Sequence, residues 1–311
     1  MGDSVQRRDS SQVLRIVATF LLGVILSAAR PVAAQELEPG AYAVAPRGLN
    51  VFVLANTFSF GDLAFDPAGP ISDASARINA TSAGLAHMAS VFGRSAQISA
   101  AVPIIGGHLE GVYLGQQAAV TRAGLGDPRV RLGVNLYGAP AMDRKAFAMY
   151  RQRRLLGASL TVSVPLGAYS QDRLINIGNH RWALKPELGY VSTMGKWTLE
   201  VFGGAWFFGS NDEFYGGGVR AQAPLASLQF HVDYQLKPRL QVVGNVNFYA
   251  GGRTTINGTE NLDLQKNSRV GLTVKQSLSA GRALRYAVSR GAYTTIGADF
   301  VALSFSFQQA W

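Results

Sequence analysis

The chain has 311 residues, 29 basic against 19 acidic for a formal net charge of +10, no cysteine, and 48% hydrophobic but only 15% charged residues. This composition excludes a disordered chain, a disulfide-stapled module and a thiolate metal site. Charge is well below the roughly 25% usual for a globular domain, so polarity has to come from Ser, Asn, Gln, Thr and 35 Gly.

Arg7, Arg8 and Arg15 precede an apolar run from Ile16 to Ala28, and Val32-Ala33-Ala34 supplies the small residues of a cleavage site. Residues 1–34 therefore read as a signal peptide, since the run is shorter than the roughly 20 residues a spanning helix needs. Residues 35–48 are expected as an N-terminal periplasmic segment and 49–311 as the folded domain. Without the leader the chain keeps 25 basic and 17 acidic residues, a net +8.

From there the pattern has period two. Asn50 to Phe58, Thr81 to Phe92, Ser95 to Ile104, Arg129 to Leu136, Gly157 to Leu166 and Arg181 to Tyr190 are the first six predicted strands. Lys196 to Phe208, Ser227 to Tyr234, Leu240 to Tyr249, Arg269 to Lys275, Leu284 to Ser289 and Val301 to Trp311 complete a set of twelve. In the sixth, Trp182, Leu184, Pro186, Leu188 and Tyr190 share one face while Arg181, Lys185 and Glu187 share the other.

Alternation suits a soluble sandwich or a membrane barrel equally, and three features decide for the barrel. Most segments approach the 9–11 residues or so that a tilted strand needs to cross a bilayer. Short connections at 93–94, 194–195, 235–238 and 278–281 alternate with long ones near 59–80, 105–125, 167–178, 209–219 and 250–266, as short periplasmic turns alternate with outer loops. The exception, 138–154, is long and basic on the short side and has room for a small helix. Third, the chain ends on Trp311 with Phe305 and Phe307 in phase, as final strands of outer-membrane proteins do. Trp182, Tyr190, Trp197 and Phe207 suit interfacial girdles.

A group of short motifs then points further. Gly124-Leu125-Gly126-Asp127-Pro128-Arg129, Val164-Pro165-Leu166-Gly167-Ala168-Tyr169, and Asn176-Ile177-Gly178-Asn179-His180-Arg181-Trp182 come in that order. Trp206-Phe207-Phe208 with Asn211-Asp212, Gly251-Gly252-Arg253-Thr254-Thr255, and Asn267-Ser268-Arg269 follow. Together, over about residues 80–311, they resemble the outer-membrane transporter family named for the meta-cleavage (MetA) pathway of phenol degradation. That resemblance implies an outer-membrane barrel admitting aromatic or other hydrophobic compounds.

Parity places Arg129, Arg131, Arg181, Lys185, Arg269, Lys275 and Arg285 on the inner face with Glu187, Glu200 and Asp233, a net-positive interior favouring anions such as aromatic carboxylates. The alternative is that these charges form ion pairs and hydrogen bonds filling a small barrel. Phe52, Phe202, Trp206 and Tyr249 also fall inward, as do His231 and Asn245, offering an aromatic passage, filler or a constriction. Asn211 and Asp212 are candidate outer-loop contacts for a cation or amine, with a solvated loop as the simpler reading. His87 alone can face outward like the histidine of a lipid-modifying barrel enzyme, in a strand of unsettled phase.

The expectation is thus an all-β protein: one antiparallel transmembrane barrel of about twelve strands in the outer membrane of a Gram-negative bacterium. It is expected to be a passive channel for small hydrophobic or aromatic solutes, not an enzyme. A structural or adhesive barrel with a closed lumen is the alternative. Expected partners are the bilayer, the outer-membrane assembly machinery and the solute. No cofactor, no metal and no nucleic acid is implied, the basic residues being scattered rather than patched.

Overall fold

The computed structural model describes residues 39–311; the expected signal peptide lies outside the described residues. Twelve antiparallel strands close into one barrel. They are β1 (Asn50–Ala64), β2 (Ile71–Val91), β3 (Arg94–Tyr113), a fourth built from β4 (Gln116–Leu125) and β5 (Arg129–Tyr137), β6 (Arg154–Ser163), β7 (Ala183–Met194) and β8 (Trp197–Phe208). After an outer excursion come β11 (Leu225–Lys237), β12 (Leu240–Gly251), β15 (Gln265–Ser279), β16 (Arg282–Tyr293) and β17 (Gly297–Ala310). The seam runs from Val51 opposite Ala310 to Ala64 opposite Gly297 without a bulge. Closure satisfies every edge, which a bilayer with no water to offer requires.

The outer face is a band of exposed apolar side chains, among them Leu54, Leu85, Ile98, Val102, Leu132, Leu160, Leu188, Phe230, Phe248 and Leu303. In water such a surface would drive aggregation, whereas in lipid it is the solvated face. Phe52 belongs to this outward face, correcting its inward assignment: it shares parity with the exposed Leu54, Phe58 and Phe60 and sits opposite Gln309.

The long outer connections expected at 59–80 and 105–125 are largely strand. β1 and β2 pair as far as Leu63 opposite Ala74, and β3 and β4 pair to the turn at Leu114-Gly115. Above the apolar band the outward positions turn polar, as at Arg77, His108, Glu110 and Thr121, so alternation fades while backbone pairing continues. Four short strands, β9 (Asn211–Phe214), β10 (Gly218–Gln222), β13 (Thr254–Ile256) and β14 (Thr259–Glu260), form a second small sheet on the outer side. On the periplasmic side the 138–154 connection carries helix α1 (Arg144–Met149), capped by the Asp143 carboxylate accepting from Ala146 N at 2.8 Å.

Residues 39–49 enter the periplasmic end of the barrel. Arg47 N donates to Met142 O, and Gly48 N to Met88 O. The Tyr42 ring, 3% exposed, packs with Ala139, Leu155, Val191 and Phe202 in an apolar core inside the barrel. Gly157 and Gly189 face each other across β6 and β7, and a Cβ on either would overlap the Tyr42 ring carbons. Two side-chain-free positions in register thus form the notch that receives the ring.

Candidate functional site

Below the outer rim the strand between β4 and β5 breaks at Gly126-Asp127-Pro128. Asp127 turns its carboxylate inward, where it accepts from Gly167 N at 3.0 Å, Asn179 N at 2.8 Å and Asn179 Nδ2 at 2.9 Å. Residues 164–182, which contain no strand, are held inward by these bonds and by Arg122 Nε donating to Ile175 O at 3.2 Å. Asn211 is buried against them. Its Nδ2 donates to Tyr169 OH at 2.9 Å and Asn179 O at 3.2 Å. The solvated-loop reading of Asn211 is therefore corrected, while Asp212 beside it is exposed. Tyr169 stacks on His180 at 4.7 Å, and His180 lies 3.2 Å from Glu213.

Two of the cavities along this loop bear on the site. The outer one, about 440 Å³, is lined mainly by apolar groups such as Leu63, Ile78, Leu109, Leu174 and Ile177, with Arg122 and Arg220 among its polar members. Burial lowers the Arg220 pKa, Asp263 and Tyr169 opposing the shift. Arg220 also sits 5.4 Å from the Phe214 ring. The inner cavity, about 200 Å³, lies between Arg129, Arg181, Trp206, Phe208 and Leu225. Arg129 lies 5.6 Å from the Trp206 ring and Arg181 4.6 Å from the Phe208 ring. Asn179 lines both cavities. Motifs spread over nearly ninety residues, at 124–129, 164–169, 176–182 and 206–212, thus converge on one place.

Deeper in, the interior is packed. Lys185 pairs with Glu187 at 2.7 Å, and Lys275 with Asp233 at 3.0 Å. Gln229 Nε2 donates to Glu187 Oε2 at 3.2 Å. His231 Nδ1 meets Asn245 Oδ1 at 2.7 Å, and Asn245 Nδ2 donates to Thr273 Oγ1 at 3.1 Å. Asn247 Nδ2 donates to Tyr249 OH at 3.3 Å. Arg269 donates from Nε to Ser289 Oγ at 3.0 Å and from Nη2 to Phe300 O at 3.0 Å. The N-terminal segment joins this network. Glu200 Oε2 accepts from Gly40 N at 2.8 Å, Arg131 Nη1 donates to Ala41 O at 3.1 Å, and Arg285 Nη2 donates to Pro39 O at 3.3 Å. Tyr42 OH shares a 3.1 Å hydrogen bond with Ser159 Oγ, Phe202 meets the ring edge-on at 5.1 Å, and Arg131 lies 5.0 Å from it. Many inward charges thus carry the ion pairs and hydrogen bonds weighed as filler, and the rim residues Arg129, Arg181 and Trp206 face a cavity.

His87 lies on the outward parity with the exposed Leu85, and its Nδ1 meets Asn50 Oδ1 at 2.8 Å. Among the described residues no serine is bonded to it.

The family model for the MetA-pathway of phenol degradation matches residues 55–291. The chain belongs to this family. None of the curated proteins matches the sequence. Among solved structures it is similar to the COG4313 outer membrane channel from Pseudomonas putida F1, with TM-score 0.75 and 21% identity over 89% of this chain and all of that one. It is also similar to the β domain of the Bordetella autotransporter BrkA, with TM-score 0.51 and 9% identity over 85% of this chain and all of that one. A third likeness is to the transport unit of the autotransporter AIDA-I from Escherichia coli, with TM-score 0.50 and 9% identity over 94% and 98% of the two chains. The fold is that of the outer-membrane channels. Family and fold place the protein in the Gram-negative outer membrane, with lipid around it and small solutes on either side.

Proposed function

We infer that the protein is a passive outer-membrane channel for small hydrophobic or aromatic compounds, aromatic anions included. The observation carrying this reading is the pair of lumenal cavities sharing Asn179, the outer one apolar and large enough for a small organic solute, the inner one basic and aromatic. A solute leaving water gains by burying apolar surface in the outer cavity, then meets Arg129, Arg181 and Trp206 on its way inward. Lys185, Glu187, Glu200, Phe202, His231, Asp233, Asn245, Tyr249, Arg269, Lys275, Arg285 and Arg131 line the remainder of this route. Onward passage requires the segment at 39–48 to move, because Tyr42 and its partners fill the floor.

The packed interior favours one second reading, a structural barrel whose lumen never opens. Flux separates the two. Refolded protein in liposomes is expected to speed entry of labelled benzoate and toluene over protein-free vesicles, and to give stepwise conductance in planar bilayers. Folded protein that passes neither solute nor ion would overturn the channel and leave the closed barrel.

A further inference from the structure

The wall of the inner cavity holds an unmade bond. Arg181 is 8% exposed and its Nη2 donates to Gln222 Oε1, yet its Nη1, fully buried, has no hydrogen-bond partner. A buried guanidinium donor left unpaired is costly, and an anion is its strongest partner. The residues around the cavity include two guanidinium groups and no carboxylate. The nearby Asp127 stands behind Asn179, with its oxygens taken by three N–H groups. The walls are the rings of Trp206 and Phe208 with Leu225 and Ala183. A cavity of about 150 Å³ holds a benzene molecule; about 200 Å³ therefore takes one ring with one small substituent, and a fused-ring or long-chain acid is too large.

We propose that this cavity is a binding site for a monoaromatic carboxylate, its ring packed against Trp206, Phe208 and Leu225 and its carboxylate accepting from Arg181. A neutral arene fills the walls and leaves Nη1 unpaired. A small inorganic or aliphatic anion pairs with Nη1 and leaves the rings facing water. Only the combination satisfies both, which makes Arg181 the residue that selects charge. The proposal rests on the channel reading for its physiological meaning, but it is tested without transport.

The test is titration calorimetry on the refolded full-length protein in detergent, with benzoate, benzyl alcohol and acetate as probes. Saturable benzoate binding at least tenfold tighter than either other probe is expected. Arg181→Gln is expected to lower benzoate affinity at least tenfold, to the level of benzyl alcohol, and to lower benzyl alcohol affinity far less; Arg181→Lys recovers part of the loss. Heat-dependent gel mobility verifies that each variant is a closed barrel. Leu225→Phe, which fills the cavity without touching the charge, is expected to weaken benzoate and benzyl alcohol together. Equal affinity of the wild type for benzoate and benzyl alcohol, or undiminished benzoate binding by Arg181→Gln, overturns the site. A protein that binds benzoate but never conducts overturns the channel alone, and one that conducts without binding benzoate overturns this site alone.

Discussion

Gly189→Ala adds a single methyl group to the lumen, at a point where it overlaps the Tyr42 ring. Something must yield, and the ring belongs to an eleven-residue entry segment whereas Gly189 lies in a strand paired on both sides. Burying a tyrosine removes about 150–250 Å² from water, which at about 25 cal/mol per Å² is up to about 4–6 kcal/mol favouring the docked ring. An inserted methyl in a packed site costs about 1–3 kcal/mol, less than that total, so the segment stays mostly docked but leaves about 5 to 150 times more often. The barrel itself is not weakened, because alanine is at home in a strand where glycine carries about 0.4–1 kcal/mol of unfolded-state entropy. The assay is the open probability of single channels in planar bilayers. It should rise five- to 150-fold in Gly189→Ala and likewise in Gly157→Ala. The double variant should fall short of the product of the two, since both methyl groups press on the same ring. Unchanged opening in both single variants, with folded barrels verified by heat-dependent mobility, would refute the idea that Tyr42 closes the floor.

Asp127→Ala removes the acceptor of three N–H groups, each bond to a charged group being worth about 1.5–3 kcal/mol. Residues 164–182 should come loose, and trypsin should cut after Arg173 in folded protein more than tenfold faster; an unchanged rate would show that the loop is held otherwise. Leu188→Arg places a charge on the lipid-facing side of β7 and should cost about 2–4 kcal/mol in vesicle unfolding experiments if it sits near the midplane. Lys275→Met leaves the Asp233 carboxylate half-stripped of its partner, at a cost of about 3 kcal/mol, read as a lower urea midpoint and restored by adding Asp233→Asn. Trp311→Ser should lower insertion in cells while refolding in vitro proceeds, because Trp311 holds β1 through its backbone alone, N to Asn50 O and O to Asn50 N, both at 3.0 Å.

The strands that cross the bilayer were legible wherever one face is apolar and the other polar, as in Trp182 to Tyr190. The first strand was legible as a strand but not in its phase. Val51, Val53 and Ala55 face inward while Asn56 faces outward, so neither face is purely apolar and the phase of Phe52 could not be read. The outer hairpins escaped because periodicity reports the surrounding lipid rather than the hydrogen bonds, and lipid ends below His108 and Glu110. Asp127 and Asn179 were visible as members of recurring motifs, but their bonds to each other depend on a loop whose path no local pattern dictates. Least legible was the docking of residues 39–48. Its trace in the sequence is Gly157 and Gly189, and they become a notch only once β6 and β7 are in register.

The polar filling of the barrel has a consequence for how the chain reaches its membrane. A lumen packed with leucine would bury its side chains as well as one packed with Gln229, Asn245, Asn247 and Arg269 does. Its strands would then be apolar on both faces, and paired hairpins of such strands would approach the length of uninterrupted hydrophobicity that the export machinery of the inner membrane retains as a spanning helix. Polar residues at many of the inward positions keep the strands below that threshold. The chemistry that closes the interior is thus also what lets the unfolded chain pass through the first membrane and remain available to the second.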